Sequence, residues 1–162
     1  RDIVACFVEG ILERPKVRIG EIKFHVEEVE VLKKPEFNEK VLFSTISPII
    51  VRTAEEKNGS LRIVDLYPTD TKFYENLKDN LIKKYKKLYN GNSKNISFSK
   101  PLSTKFMRIQ IKNTYHRASL MVFEAEGDSE LLRLGYETGF GEKNSMGFGM
   151  VKISEKKRKR SD

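Results

Sequence analysis

The side chains best equipped for chemistry lie in "KNTYHR", where Tyr115 and His116 stand beside Lys112 and Arg117. An imidazole, a phenol and two cations are what attack of a hydroxyl on a phosphodiester uses. They can act as a base, an acid and a positive charge beside the developing oxyanion. The same stretch also reads as a polar hairpin turn, whose residues contact an anionic ligand or only water. A second candidate is "GYETGFGEKNSMGFGMVK", with Gly139, Gly141, Gly147 and Gly149 following Gly135. A nucleotide P-loop needs Lys and Ser/Thr directly after its last glycine. Here Phe148 and Met150 border the last glycines, and five residues separate Gly141 from Gly147, which also breaks dinucleotide spacing. Two readings remain for this loop. The glycines let a helix and a strand pack closely, or they present a nest of N–H groups to phosphate, assisted by Lys143, Asn144 and Ser145.

Other chemistries find little support. Cys6 is the single cysteine, so neither an intrachain disulfide nor a cysteine-based zinc site can form. His25 and His116 are too few and too far apart for a metal motif, and no cofactor or metal is expected. His25 alternates away from Phe24 and Val26, which places it on a surface or in a groove rather than in catalysis. A net charge of +8 with pI near 9.5 favours a polyanionic partner. No apolar run reaches membrane-spanning length and the start carries no secretory pattern, so the expectation is a cytoplasmic protein without a membrane partner. Abundant Lys and Glu with Gln110 as the single glutamine lean towards a thermophilic source.

The elements that must position these residues follow from periodicity. Ile3, Val4, Phe7, Val8, Ile11 and Leu12 recur at helical spacing. Pro15 to Gly20 reads as a loop, and "EIKFHVEEVEVL" as a strand whose phase slips at Glu27–Glu28, as at a β-bulge. "KVLFSTISPIIVRT" is β-rich, and "LRIVDLY" is a short excursion strand. From Thr71 to Tyr89 the stripe Phe73, Leu77, Leu81, Tyr85 and Leu88 defines a helix, with Lys83, Lys84, Lys86 and Lys87 as its solvated face. "KFMRIQIK" and "RASLMVFEAE" are strands joined through "NTYH". Met107, Ile109 and Ile111 share one face of the first, and Arg108, Gln110 and Lys112 the other. The second is apolar on both faces and is therefore central, which leaves the first at an edge. Cations on an edge strand guard against aggregation, and they also make a track for phosphates. A helix at about Ser129–Tyr136, the glycine loop, the strand "FGMVKI" and a basic tail complete the chain.

In order this is α-β followed by β-α-β-β-α-β, an α+β organisation. Residues 35–154 form a complete ferredoxin-like βαββαβ unit, 1–34 the closing helix and strand of another, incomplete one, and 155–162 a basic tail. A ferredoxin-like pair ending in helix, glycine-rich loop and strand resembles the RAMP group of CRISPR-associated proteins. "GYETGFGEKNSMGFGMVK" is similar to the C-terminal signature of the sixth CRISPR-associated (Cas) family, and "FSTISPIIV" to the opening strand of its second domain. That family consists of archaeal and other endoribonucleases that process precursor CRISPR RNA in antiviral defence.

The resemblance implies two tandem ferredoxin-like domains holding repeat RNA on basic surfaces. It also implies metal-independent cleavage by the ribose 2′-hydroxyl, leaving a 2′,3′-cyclic phosphate. The family's tyrosine, histidine and lysine come from the opening part of the first domain. No matching part occurs here, so no catalytic residue is carried over, and Tyr115 and His116 remain candidates on their chemistry alone. RNA contact is expected at Lys105, Arg108, Lys112 and Arg117, and at Lys143, Asn144 and Ser145. The alternative to an enzyme is a noncatalytic repeat-RNA-binding module or a RAMP subunit of a CRISPR effector complex. Partners beyond RNA would be a second copy, a complementing N-terminal segment or that complex.

Overall fold

The computed structural model describes residues 2–31, 33–91 and 94–154. The expected basic tail at 155–162 lies outside them. The chain divides into two compact units, Arg1–Glu36 and Phe37–Asp162. The first holds helix α1 (Ile3–Glu13) and a hairpin of β1 (Lys16–Ile19) and β2 (Ile22–His25). Asp2 caps α1 by accepting from the Val4 N–H at 3.0 Å. Gly20, at φ 63, turns the hairpin. The stretch expected to be a loop thus contains a strand, and the expected long strand stops at His25 rather than bulging at Glu27. Alternating β-branched and cationic residues in "KVRI" carried that signal, and Pro15 before them obscured it.

The second unit is ferredoxin-like. Its strands β3 (Lys40–Thr45), β6 (Ile96–Phe98), β7 (Ser103–Ile111), β8 (Thr114–Gly127) and β9 (Val151–Ile153) form one antiparallel sheet. The order is β6-β8-β3-β9, with β7 on the same edge of β8 as β6. β6 and β7 are one edge strand interrupted once. Phe98 pairs with Ala125 and Ser103 with Val122, so the four residues 99–102 oppose the two residues 123–124. Pro101 falls in that interruption, where no ladder N–H is required. Helices α2 (Phe73–Tyr89) and α3 (Ser129–Thr138) cover one face. Val41, Phe43, Met121, Phe123 and Ala125 from β3 and β8 are buried there with Leu77, Leu81, Leu131 and Leu132. Phe140, from the glycine loop, packs on Phe43 and Phe123 with ring centroids 5.2 and 5.4 Å apart. Each of these side chains larger than alanine contributes about 1.5–3 kcal/mol by leaving water.

Of the α2 stripe, Phe73, Leu77, Leu81 and Tyr85 are buried, whereas Leu88 is exposed. Between β3 and α2 runs a separate hairpin of β4 (Val51–Lys57) and β5 (Ser60–Leu66). Asn58 and Gly59 close it with φ 54 and 71, the pair of left-handed residues that a two-residue hairpin turn requires. The expected excursion strand is therefore one arm of a ribbon.

Candidate functional site

Three local devices bring β5 against the β7–β8 hairpin. Beyond β5, Pro68 and Asp70 make a turn in which Asp70 accepts from the Tyr67 N–H at 2.6 Å. That turn fixes Tyr67, whose ring lies 4.8 Å from Phe106 and whose hydroxyl donates to the Met107 carbonyl at 3.3 Å. On β5, the Asp65 carboxylate accepts from the Arg117 backbone N–H at 3.1 Å and from His116 Nδ1 at 3.1 Å. The β7–β8 turn comprises Lys112 and Asn113, with Lys112 left-handed at φ 53. Tyr115 and His116 accordingly stand on strand β8, not in the turn where the polar run "NTYH" suggested, and His116 is buried.

The result is a cleft of about 660 Å³ lined by Ile63, Asp65, Tyr67, Arg108, Tyr115, His116 and Arg117, among others. Arg108 and Arg117 are direct cross-strand partners. Like charges directly opposite one another destabilise a ladder, yet among the described residues neither guanidinium forms an ion pair with a carboxylate. Each instead stacks on an aromatic ring, Arg108 at 4.4 Å from the Tyr115 centroid and Arg117 at 5.4 Å from that of Tyr67. Stacking holds the two planar forks without neutralising them. Phe106 and Tyr115 keep about half of their surface in water beside them, at 51% and 53% exposure. Cations next to exposed rings suit an anion attached to a flat group.

Four residues singled out from sequence therefore line this cleft, Arg108, Tyr115 and Arg117 on one face of the hairpin and His116, paired with Ile109, on the other. The others do not join them. Lys112 is in the turn, and Lys105 alternates onto the face opposite Arg108 along β7. Two members were missed. Tyr67 and Asp65 lie about 50 positions upstream in an unremarkable strand, and only the register places them here.

The glycine loop is a separate structure. Gly139, Gly141, Gly147 and Gly149 all have φ between 73 and 85. The Phe140, Glu142 and Gly149 N–H groups donate to the Gly149, Ile50 and Pro48 carbonyls. Asn144 donates to the Phe140 and Phe148 carbonyls at 3.2 and 2.9 Å. Lys84 reaches in from α2, donating to the Gly139 and Gly141 carbonyls at 2.8 and 2.9 Å and to Asn144 Oδ1 at 2.6 Å. Burial lowers its pKa from 10.5 to about 8. Lys84 is thus a clamp and not part of a solvated face. Asn144 is committed within the loop, while Lys143 and Ser145 carry no side-chain bond to it. Glu142 pairs with Arg52 and ties the loop to β4.

Residues 32–153 match the family model described as CRISPR associated protein Cas6, C-terminal. The chain is similar to CRISPR-associated endoribonuclease Cas6 1 of Methanocaldococcus jannaschii, at 45% identity over 99% of this chain and 63% of that protein. A similar relative is the putative CRISPR-associated endoribonuclease-like protein Cas6nc of Pyrococcus horikoshii, at 39% identity over 95% of this chain and 65% of that one. Among solved structures, one described as "An RAMP protein binding different RNA substrates" superposes with TM-score 0.81 at 38% identity, over 96% of this chain and 65% of that chain. The chain spans less than two thirds of each of these proteins.

Proposed function

The chain belongs to the Cas6 family of CRISPR-associated proteins, and from that membership we propose that it binds CRISPR repeat RNA through the cleft between β5 and the β7–β8 hairpin. The observation that carries the reading is the Arg108–Arg117 pair: two cross-strand guanidiniums, each stacked on a ring and, among the described residues, without a carboxylate partner. A phosphate bridging them removes the repulsion and forms charge-assisted hydrogen bonds, while exposed Phe106 and Tyr115 offer faces on which bases stack. The protein of which this family domain is part would process precursor CRISPR RNA, with the ribose 2′-hydroxyl as nucleophile. The domain described here would supply grip and register.

The test is a filter-binding titration with labelled repeat RNA at several salt concentrations. Arg108→Ala and Arg117→Ala should each weaken binding by about ten- to 150-fold, since a hydrogen bond to a charged group contributes about 1.5–3 kcal/mol. Each should also lower the salt slope by about 0.7, the value per phosphate contact on a single strand. Unchanged affinity and slope in the double variant would remove the cleft from the RNA path. Incubation of the same RNA in EDTA, with product ends analysed, separates a cleaving protein from one that only binds.

A further inference from the structure

The first unit carries a charged surface of its own. In the β1–β2 register Lys16 lies opposite His25, Val17 opposite Phe24, Arg18 opposite Lys23 and Ile19 opposite Ile22. Directly paired residues share a face, and neighbours along a strand alternate. One face of the ribbon is therefore Lys16, Arg18, Lys23 and His25, and the other Val17, Ile19, Ile22 and Phe24. All four residues of the first face are exposed. Among the described residues none of the four forms an ion pair with a carboxylate. Charged strand pairs in the second unit are mostly complementary: Arg52 lies opposite Asp65, Glu55 opposite Arg62 and Lys40 opposite Glu126. Among the described strand pairs, only Arg108 and Arg117 of the cleft repeat the like-charge pattern of Arg18 and Lys23.

We infer that the cationic face of this ribbon grips the phosphate backbone of single-stranded RNA, without reading its bases, as a contact that shares no residue with the cleft. It takes RNA as the ligand from the proposed function and needs nothing from the cleft. A ladder of four pairs is marginal and is weakened further by a like-charge pair. A guard against aggregation would interrupt the apolar face, yet Ile19, Ile22 and Phe24 stay exposed while the cations are confined to the opposite one. Lys16 and Arg18 are two residues apart on β1, as are Lys23 and His25 on β2, so the two cross-strand rows stand about 6.8 Å apart. That is near the separation of successive phosphates on an extended chain, and each row can take one phosphate. Arg18 is already held for the purpose. Its Nε donates to the Gly20 carbonyl at 2.8 Å, which leaves the rest of the guanidinium fork for a ligand. Phe24 belongs to the other face, so no phenyl or phenol ring is offered to the bases. A regular repeat of charge suits a polyphosphate chain better than an acidic protein segment, whose carboxylates have no fixed spacing.

The experiment uses the full chain with repeat RNA and with oligouridylate of equal length. Arg18→Gln with Lys23→Gln removes one row. It should lower affinity for both RNAs about two- to thirtyfold, the combined effect of two exposed ion pairs. The salt slope should fall by about 0.7, one phosphate on a single strand, and by about 1.4 once Lys16→Gln is added. All three side chains are exposed, so the variants keep their fold. A control neutralises as many exposed cations on α2, at Lys83, Lys86 and Lys87, and should leave the slope unchanged. An equal fall in the control would reduce the effect to net charge and overturn the inference. So would an unchanged slope in the hairpin triple variant, or a loss confined to repeat RNA. Lysine acetylation read by mass spectrometry gives a second measurement on the unaltered protein. Saturating oligouridylate should protect Lys16 and Lys23 but not Lys86 and Lys87. Equal protection by polyglutamate would make the ligand an acidic protein and overturn the assignment to RNA. Failure here is separable from failure of the cleft. Protection of Lys16 and Lys23 should persist in the Arg108→Ala, Arg117→Ala protein, and the losses from the two sets of variants should add. Loss of that protection would overturn the independence of the two contacts.

Discussion

Gly149→Ala is expected to abolish cooperative folding of the second unit, whereas Gly147→Ala should only soften it. At Gly149 a Cβ would fall on the Phe140 carbonyl oxygen and within 2.8 Å of Asn144 Nδ2. Neither neighbour can retreat. Phe140 donates back to the Gly149 carbonyl at 2.9 Å, its ring is fully buried, and Asn144 holds its carbonyl. The backbone is also left-handed there, at φ 78. Overlap with backbone and strain together cost more than about 4 kcal/mol, the tail of single-substitution effects, against a total stability of about 5–15 kcal/mol. Gly147 has φ 85 but open space around its Cβ position, so alanine there meets only the left-handed penalty, about 1–2 kcal/mol. Denaturant unfolding followed by tryptophan-independent far-UV dichroism distinguishes the two. A cooperative transition for Gly149→Ala near that of the unaltered protein would mean that the loop repacks.

Lys84→Met should be the costliest change to an ionisable residue. It leaves the Gly139 and Gly141 carbonyls and Asn144 Oδ1 without their shared donor, a loss of about 2–4 kcal/mol if one or two acceptors stay dry. The same residue carries a pH signature. Its folded-state pKa is lowered to about 8 by burial, which the Glu142 charge partly offsets, from 10.5 in the unfolded chain. Below pH 8 both states hold the proton and the residue adds no pH dependence. Between pH 8 and 10.5 the unfolded state binds the proton more readily, so stability contributed by Lys84 rises with pH. The unfolding free energy of the protein minus that of Lys84→Met should therefore grow across this window. Taking the difference removes the tyrosines and other lysines that titrate alongside. A flat difference would show that Lys84 is solvated after all.

Lys84 carries a legible signal that its neighbours mask. It follows Leu77 by seven residues and Leu81 by three, the same phase as the buried stripe, and a cation in that phase must find acceptors inside. Its neighbours Lys83, Lys86 and Lys87 made the whole run resemble a solvated face. The sheet was easier to read. Apolar residues on both faces of "SLMVFEA" fit a strand flanked on both sides, and β8 lies between β3 and the β6–β7 edge. Tyr115 and His116 read as turn residues because the start of β8 extends past β3, whose pairing begins only at Val122, and so lacks the apolar alternation of its centre. Asn58–Gly59 is a hairpin signal by residue type, one that the expectation of a single excursion strand at "LRIVDLY" does not use. Asp65 carried no local mark. Its role exists only once strand register has set it against His116.

The strand that holds the sheet together is also the one whose partners arrive last. Phe43 of β3 lies opposite Phe123 on one side and Ile153 on the other, so its neighbours are encoded far downstream. On the ribosome β3 emerges with both edges unpaired and waits for β8, then for β9. The helix α2 and the β4–β5 ribbon, built from near neighbours in the chain, can form during that wait, but the Phe43–Phe123–Phe140 cluster cannot close. Such long-range pairing belongs to the slow end of single-domain folding, about milliseconds to seconds. Closure of this unit's core is thus gated by delivery of its last strand, β9.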